Sequence, residues 1–251
     1  MEDLQLLIDL HRSGPRQGPG GAAETRRALE LAGLDRSRPL KVADIGCGTG
    51  ASTLVLAREL DAQITAVDFL PEFLDELQDR ARFQGVADRV TTLACSMDAL
   101  PLAGAEFDLI WSEGAVYNIG FEAGISDWKR FLKPGGKLVV SEITWLSASR
   151  PHELQAHWER EYPEIDTASA KIGILERHGY SPEAYFVLPE SCWLENYYRP
   201  LQRRFDEFLE RQGHSDRARA LVEAERREIA FFEQYSAFYG YGVYVAKKPG
   251  G

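Results

Sequence analysis

A glycine-rich loop directly behind a short apolar run is the feature that most constrains this fold. The apolar run covers residues 40–45, and the loop after it reads Asp44-Ile45-Gly46-Cys47-Gly48-Thr49-Gly50. A second apolar run, at 64–67, ends in Asp68. This order of strand, glycine turn, helix, strand and acid is how α/β sheets hold a cofactor that carries a nucleoside. The sequence therefore predicts a ligand site at the carboxyl ends of the first two strands.

Apolar runs alternate with helical patterns along the chain, which predicts a mainly parallel α/β sheet with helices on both faces. We expect a Rossmann-like sheet of seven strands, with the last strand antiparallel and a helical insertion before it. The whole chain, 1–251, is predicted to be one domain. Its parts are a cofactor-binding core at 22–150, substrate-side helices at 151–238 and the last strand at 239–251. The predicted strands are 40–45, 64–68, 90–95, 107–111, 137–143, 185–188 and 241–246. The predicted helices are 2–12, 22–31, 52–60, 71–84, 125–132, 151–162, 168–178, 193–211 and 215–238.

The charge balance argues against several classes of partner. The formal net charge is −10, from 29 basic and 39 acidic residues, which disfavours a surface built for nucleic acid or anionic lipid. Three cysteines and five histidines are scattered without metal-ligand spacing, so we expect no metal site. Neither a signal peptide nor a membrane-spanning run is visible. We expect a cytoplasmic protein that meets a small molecule.

The glycine spacing alone leaves the cofactor open, because Gly46, Gly48 and Ala51 also fit a loose dinucleotide fingerprint. The discriminating residue is Asp44, two residues before the first glycine. A carboxylate at this place repels a pyrophosphate and suits a cationic or amino-bearing ligand. Charge therefore favours S-adenosylmethionine, which carries a sulfonium and an ammonium, over NAD.

Four motifs between residues 40 and 145 together resemble the class I S-adenosylmethionine-dependent methyltransferases. The resemblance is nearest to the small-molecule type that acts on ubiquinone and menaquinone precursors, although the last third of the chain departs from it. The resemblance implies a methyl transfer from S-adenosylmethionine to a small organic acceptor. The motifs are Val42-Ala43-Asp44-Ile45-Gly46-Cys47-Gly48-Thr49-Gly50, Ala66-Val67-Asp68, Phe107-Asp108-Leu109-Ile110-Trp111-Ser112-Glu113 and Leu132-Lys133-Pro134-Gly135-Gly136-Lys137-Leu138.

The resemblance also implies which residues hold the cofactor. Asp44 and Gly46 would face the methionine amino group, and Asp68 would hold the ribose. The stretch that begins at Ser96 would border the adenine, unless Ser96 simply caps a helix. The implied cofactor-binding set is Asp44, Gly46, Gly48, Gly50, Asp68, Phe69, Ser96, Met97 and Ser112.

An acceptor that must lose a proton needs a base near the methyl group. Glu113, after the fourth strand, is the predicted catalytic residue, with Tyr117 and Glu142 as predicted substrate contacts. Each has a structural alternative: Glu113 could cap a turn, Tyr117 could be core, and Glu142 could pair with a surface cation.

Two segments remain open. The Gly/Pro-rich loop at 13–21 resembles segments that close over the cofactor, and an unrelated tail fits equally well. Residues 185–244 hold more than half of the aromatic side chains. These could line an acceptor pocket, or pack against the sheet or a second subunit in a homodimer. The rival functions are a non-catalytic cofactor-binding or scaffold subunit and an NAD(P)-dependent oxidoreductase. A nucleic-acid methyltransferase is less favoured, because Ser112-Glu113-Gly114-Ala115 follows the fourth strand.

Overall fold

A computed structural model describes residues 2–250 of the chain. Within that range one mixed sheet of eight strands forms the centre of the molecule. The strands are β1 (Leu40–Ile45), β2 (Ala62–Asp68), β3 (Val90–Ala94), β4 (Phe107–Ser112), β5 (Leu132–Trp145), β6 (Asp166–Thr167), β7 (Ser181–Val187) and β8 (Tyr239–Lys247).

Helices cover both faces of the sheet and its carboxyl edge. They are α1 (Glu2–His11), α2 (Ala22–Ala32), α3 (Ala51–Glu59), α4 (Pro71–Phe83), α5 (Phe121–Trp128), α6 (His152–Glu161), α7 (Ala168–Arg177), α8 (Glu190–Trp193), α9 (Arg199–Gln202), α10 (Phe205–Arg211) and α11 (Asp216–Tyr235).

The strand order is β3-β2-β1-β4-β5-β8-β7, and the two-residue β6 pairs with β5. β8 runs antiparallel to both of its neighbours, β5 and β7, which confirms the predicted direction of the last strand. The short β6 is the strand that the sequence analysis missed. The chain order reverses between β1 and β4, and in open α/β sheets ligands bind at the carboxyl ends of the strands beside such a switch point.

The residue pattern explains why the central strands sit where they do. In β4 all six residues are buried, and in β1 only Lys41 is exposed. Strands that are covered by helices on both faces read as continuous apolar runs. Two hydrophobic clusters result, one on each face. The first includes Leu29 and Leu56, and the second includes Trp128.

The glycine motif at 133–136 lies inside a strand, although the sequence analysis left these residues between a helix predicted to end at 132 and a strand predicted to begin at 137. β5 begins at Leu132 opposite Phe107, and the pairing resumes with Lys137 opposite Leu109. This register shift absorbs the extra residues as a bulge, and Gly135 takes a φ of +80° that suits glycine there.

The predicted long helix at 193–211 is wrong as a single element. After α8 the backbone widens into a π-helical turn at Leu194–Tyr198, and α9 and α10 follow as separate short helices. Pro200 lies just after the π turn, and its missing N–H and bulky ring disrupt regular α-helical bonding to the preceding turn. Prolines are read easily in a sequence, but the π turn that accommodates this one is not.

Candidate active site

One cavity of about 1660 Å³ opens at the carboxyl edge of the sheet. Its lining includes residues that follow each of β1, β2, β3 and β4, together with Ile143 near the end of β5. The cavity extends from the glycine loop to the helices of the insertion before β8. The predicted ligand site therefore exists as a space, and it is larger than a nucleoside cofactor alone requires.

The glycine loop and the tip of β2 are joined through Asp68. The Gly48 N–H donates to Asp68 Oδ2 at 2.8 Å, and the Leu70 N–H donates to Oδ1 at 3.0 Å. Burial raises the pKa of Asp68, and these N–H groups oppose that shift. Gly46, Gly48 and Asp68 all line the cavity, and each Asp68 oxygen keeps capacity for a further donor. This geometry fits the ribose-binding role that the resemblance implied.

Asp44 lies beneath the glycine loop and is not part of the cavity wall, since its side chain is completely buried. Ser52 Oγ and Thr53 Oγ1 donate to its Oδ2 at 3.0 and 2.6 Å. Its Oδ1 has no hydrogen-bond partner among residues 2–250. Burial raises the pKa of Asp44 to about 7, although both hydroxyls lower it. A buried acceptor without a donor is uncommon, and an ammonium group above the turn would complete it.

Besides Asp44, two more of the predicted cofactor residues do not line the cavity. A Cβ on Gly50 would lie 2.1 Å from Leu77 Cδ1, so glycine is required there because α4 packs against it. Gly50 also has a φ of +86° at the N-terminus of α3. Ser112 is completely buried, and its hydroxyl has no partner within the described range. Gly50 therefore shapes the loop rather than touching a ligand, and Ser112 lies behind the wall.

The residues predicted beside the adenine lie together at one end of the cavity. Phe69, Ser96 and Met97 all line it, and Phe69 is 67% exposed. Between β3 and β4 the described chain contains no helix, which removes the alternative that Ser96 caps one. The Met97 carbonyl accepts from Trp128 Nε1 at 3.0 Å, which fixes this turn against α5.

Glu113 lines the cavity, but both of its carboxylate oxygens are already engaged. Arg16 Nη2 donates to Oε2 at 2.5 Å. Thr25 Oγ1 and Trp111 Nε1 donate to Oε1 at 2.8 and 3.0 Å. A substrate hydroxyl would have to compete with three donors for this carboxylate, so the geometry favours an anchoring role. The predicted catalytic role of Glu113 stays a prediction without support from its contacts.

The two predicted substrate contacts have different surroundings. Tyr117 lines the cavity and is 44% exposed, so it is not core. Glu142 is completely buried and does not reach the cavity; its Oε1 lies 3.3 Å from Nζ of the equally buried Lys171. Burial raises the pKa of Glu142 to about 7, with Lys171 opposing the shift. Glu142 therefore has a cation partner, as the structural alternative proposed, but this partner is buried and not on the surface.

The insertion before β8 closes the far end of the cavity with aromatic rings. Trp193 stacks on Tyr241 with ring centroids 5.1 Å apart, and Trp158 meets Tyr239 edge-on at 5.1 Å. Other aromatic residues of the insertion, such as Phe208, are buried in the core. Some aromatic residues of segment 185–244 therefore line the cavity, and others pack inside the protein. We call this end of the cavity the aromatic chamber. Its aromatic walls are Tyr117, His157, Trp158, Tyr162, Trp193, Tyr197, Tyr198, Phe231, Tyr239 and Tyr241.

The loop at 13–21 lies across the glycine loop. Gln17 Oε1 accepts from both the backbone N–H and the hydroxyl of Thr49 at 2.9 Å. Arg80 on α4 donates to the Gly14 carbonyl at 2.9 Å, and Asn196 Nδ2 donates to the Gly20 carbonyl at 2.8 Å. Together with the Arg16–Glu113 ion pair, these contacts place the loop as a cover over the cofactor end of the cavity.

The sequence analysis missed one group of polar residues that the fold brings to this cavity. His11, Glu225 and Glu228 line it, although they come from opposite ends of the chain. His11 and Glu225 are in contact across 214 residues of sequence. No local motif predicts such a pair. The sequence shows only that Glu225 and Glu228 are three residues apart on α11, which places them on one face of the helix.

Among residues 2–250, no three His, Cys, Asp or Glu side chains gather as a metal-binding group. In the same part of the chain, no helix has the length and apolar character needed to cross a bilayer.

Comparison with known proteins agrees with this geometry. Residues 42–136 match the family described as methyltransferase domain. The chain is 29% identical to 27-O-demethylrifamycin SV methyltransferase of Amycolatopsis mediterranei, over 90% of this chain and 84% of that protein. It is 34% identical to demethylmenaquinone methyltransferase of Tropheryma whipplei, over 55% of this chain and 53% of that protein.

The fold has a close counterpart among solved structures. An S-adenosylmethionine-dependent methyltransferase from Geobacter sulfurreducens, solved with S-adenosylhomocysteine, superposes with a TM-score of 0.84. The match covers 96% of this chain and 97% of that one at 18% identity, so it shows the fold alone. The family match over residues 42–136, the relatives' shared activity, the glycine loop and the acid at the tip of β2 identify the chain as an S-adenosylmethionine-dependent methyltransferase.

Proposed function

We propose that this enzyme transfers the methyl group of S-adenosylmethionine to a small organic acceptor held in the aromatic chamber. The observation that carries the proposal is the continuity of the cavity. Gly46 and Asp68 at one end, and Trp193 and Tyr241 at the other, line the same space. A methyl group on a cofactor bound at the glycine loop would therefore face an acceptor in the chamber without crossing solvent.

The size of the cavity supports two occupants. Pockets for single drug-sized ligands measure roughly 300–1,000 Å³, whereas this cavity measures about 1660 Å³. The cofactor already carries an activated methyl group, so the protein must mainly position the acceptor and exclude water. The cover formed by residues 13–21 and the aromatic walls are suited to both tasks.

The chemistry of the walls favours an acceptor with an apolar body. Rings such as Trp193 and Tyr241 offer flat faces, and hydroxyls such as that of Tyr117 offer hydrogen bonds. The relatives' names point in the same direction, since rifamycin and menaquinone precursors are organic molecules with apolar bodies. The net charge of −10 supports a partner other than nucleic acid. Three free cysteines fit a reducing compartment, which supports the cytoplasm as the place of action.

A single side chain can test whether the chamber holds the acceptor. Ala224 and Ala230 on α11 are both exposed, but only Ala224 lines the cavity. We expect Ala224→Trp to fill the chamber, abolish methyl transfer and leave S-adenosylhomocysteine binding intact. The matched variant Ala230→Trp should preserve both.

Transfer would be followed with methyl-labelled S-adenosylmethionine, offered with a panel of phenols, quinols, amines and carboxylic acids, and products read by mass spectrometry. Binding of S-adenosylhomocysteine would be measured by calorimetry on the same samples. Binding without any labelled product across the panel would favour a non-catalytic cofactor-binding subunit. Binding of NADH instead would favour an oxidoreductase.

A further inference from the structure

A buried histidine and glutamate meet at the wall of the chamber. His11 is the last residue of α1, and only 6% of its surface is exposed. Its Nε2 lies 3.2 Å from Oε1 of Glu225 on α11. Glu225 is 9% exposed, and its Oε2 has no partner within residues 2–250. A pair so far apart in sequence exists only because α1 packs on α11.

The pair is tied to the cofactor end of the cavity as well as to the chamber. Gln17 donates from Nε2 to the His11 carbonyl at 3.2 Å and accepts through Oε1 from Thr49 in the glycine loop. The Tyr197 ring lies nearly parallel to the His11 ring, with centroids 6.4 Å apart. One glutamine side chain therefore spans the interval between the histidine backbone and the cofactor-binding turn.

The ring has a defined direction. If Nε2 carries the proton and donates it to Glu225, then Nδ1 keeps a lone pair. Across the described chain, Nδ1 has no hydrogen-bond partner, and it is not among the buried side-chain atoms left unpaired. Since His11 lines the cavity, that lone pair is available to a molecule in the chamber.

Charged and polar groups face His11 from several elements. Glu225 and Glu228 face His11 from α11, and Tyr197 faces it from the π-helical turn. Glu228 accepts from the Tyr198 hydroxyl at 3.0 Å. On the α10 side, Arg204 donates to the carbonyl of Leu10 rather than to either glutamate. Of these groups, Glu225 contacts the ring directly and is placed to hold its orientation.

We infer that His11, oriented by Glu225, is the general base that removes the proton from a hydroxyl group of the acceptor. This inference rests on the proposed methyl transfer. As the acceptor oxygen bonds to the methyl carbon, the carbon–sulfur bond breaks and its electron pair stays on sulfur, which becomes a neutral thioether. The O–H proton goes to His11 Nδ1. A neutral alcohol or phenol is a poor nucleophile, and a positioned base accelerates such a step roughly 10²–10⁴-fold.

The inference selects hydroxyl acceptors over amines and replaces Glu113 as the candidate base. Three donors already engage Glu113, whereas Nδ1 of His11 offers an unshared lone pair. A purely structural reading is that the pair only fastens α1 to α11. The two readings differ in what they predict for the protonation of a bound hydroxyl compound.

The first test uses 4-nitrophenol, whose anion absorbs visible light, bound to the full chain in the presence of S-adenosylhomocysteine. We expect the bound phenol to ionise at lower pH than the free phenol in the native protein, and this shift to disappear in His11→Gln. The matched control is His178→Gln, because His178 pairs with Glu122 at 2.7 Å on the surface, away from the cavity. Equal ionisation in native and His11→Gln protein would overturn the inference.

The second test measures methyl transfer to phenols and to matched anilines. His11→Gln should lower transfer to phenols roughly 10²–10⁴-fold and leave the affinity for S-adenosylhomocysteine unchanged, with Glu225→Gln intermediate. Thermal melting of each variant separates loss of the base from loss of the α1–α11 contact. Methylation confined to the anilines, or phenol methylation that survives in folded His11→Gln, would contradict the assignment. Failure of S-adenosylhomocysteine to bind would instead refute the proposed function.

Discussion

Asp44 makes cofactor binding dependent on pH in a range that is easy to measure. The carboxylate is buried, and burial raises its pKa to about 7. Its Oδ1 lacks a partner within the described residues. We infer that the ammonium end of the cofactor binds only to the ionised carboxylate. Binding at or below neutral pH must therefore release a proton from Asp44.

The size of the effect follows from the ionised fraction. With a pKa of about 7, Asp44 is about 10% ionised at pH 6 and about 90% ionised at pH 8. S-adenosylhomocysteine should consequently bind about tenfold more tightly at pH 8 than at pH 6, a difference of about 1.4 kcal/mol. Asp44→Asn should bind more weakly at pH 8 and lose this dependence on pH.

Thr53 supplies a matched pair of variants. Its hydroxyl donates to Asp44 at 2.6 Å and so lowers the pKa of the carboxyl. Thr53→Val keeps the shape but removes a hydrogen bond to a charged group, which is worth ~1.5–3 kcal/mol. We expect the midpoint of the binding curve to move up by about one to two pH units. Thr53→Ser retains the hydroxyl and should leave the midpoint in place.

Calorimetry between pH 6 and 8, in two buffers of different ionisation enthalpy, measures both the affinity and the number of protons released. Native affinity that stays constant across this range would refute the reasoning. If the affinity of Asp44→Asn changed with pH as steeply as that of the native protein, a group other than Asp44 would cause the pH dependence.

Three further predictions concern stability and the cover. Lys171→Met leaves the buried Glu142 carboxyl without its cation and should lower the free energy of unfolding in urea by about 3–5 kcal/mol; adding Glu142→Gln should recover much of the loss. Arg16→Gln removes the ion pair with Glu113, so stopped-flow measurements should show faster release of S-adenosylhomocysteine. The free energy of unfolding should change little. Burial raises the pKa of Asp108, but hydrogen bonds from two neighbouring cations outweigh it and lower the pKa from 3.8 to about 2. The stabilisation that ionised Asp108 contributes is present above pH 3.8 and is lost as the pH falls towards 2. In Asp108→Asn, the free energy of unfolding should therefore depend less on pH in that range.

The outcomes that would contradict these three expectations are distinct. A cost well below 1 kcal/mol for Lys171→Met would mean that the Glu142 site is hydrated or already neutral. Unchanged release from Arg16→Gln would mean that the loop at 13–21 does not retain the ligand. A native pH dependence preserved in Asp108→Asn would assign the acid sensitivity to other carboxyls.

The parts of the fold that the sequence predicted well are those governed by local pattern. The bounds of β1 agree with the structure because an apolar run meets a glycine turn at Gly46, and both signals are contiguous. Asp68 was placed correctly at the tip of β2 because parallel pairing with β1 brings that tip beside the loop. Strand ends and glycine turns depend on few residues, and so they can be read without knowing the tertiary structure.

The parts that the sequence did not predict depend on distant contacts. Two of the three donors to Glu113, Arg16 and Thr25, come from the loop and helix that precede β1, and no spacing rule links them to β4. The same holds for His11 and Glu225, which meet across 214 residues. The burial of Glu142 depends on Lys171 from α7. Each of these residue types is common on protein surfaces, so only the packed structure distinguishes an anchor, a base or a buried pair.

If cofactor and acceptor share one cavity, the reacting methyl group points into the aromatic chamber. A crystal structure with S-adenosylhomocysteine bound would show this arrangement. We expect ribose hydroxyls on Asp68, the amino group above Asp44 and the sulfur facing the ring of Tyr117. A ligand whose sulfur points to bulk solvent, or one bound away from the glycine loop, would contradict it.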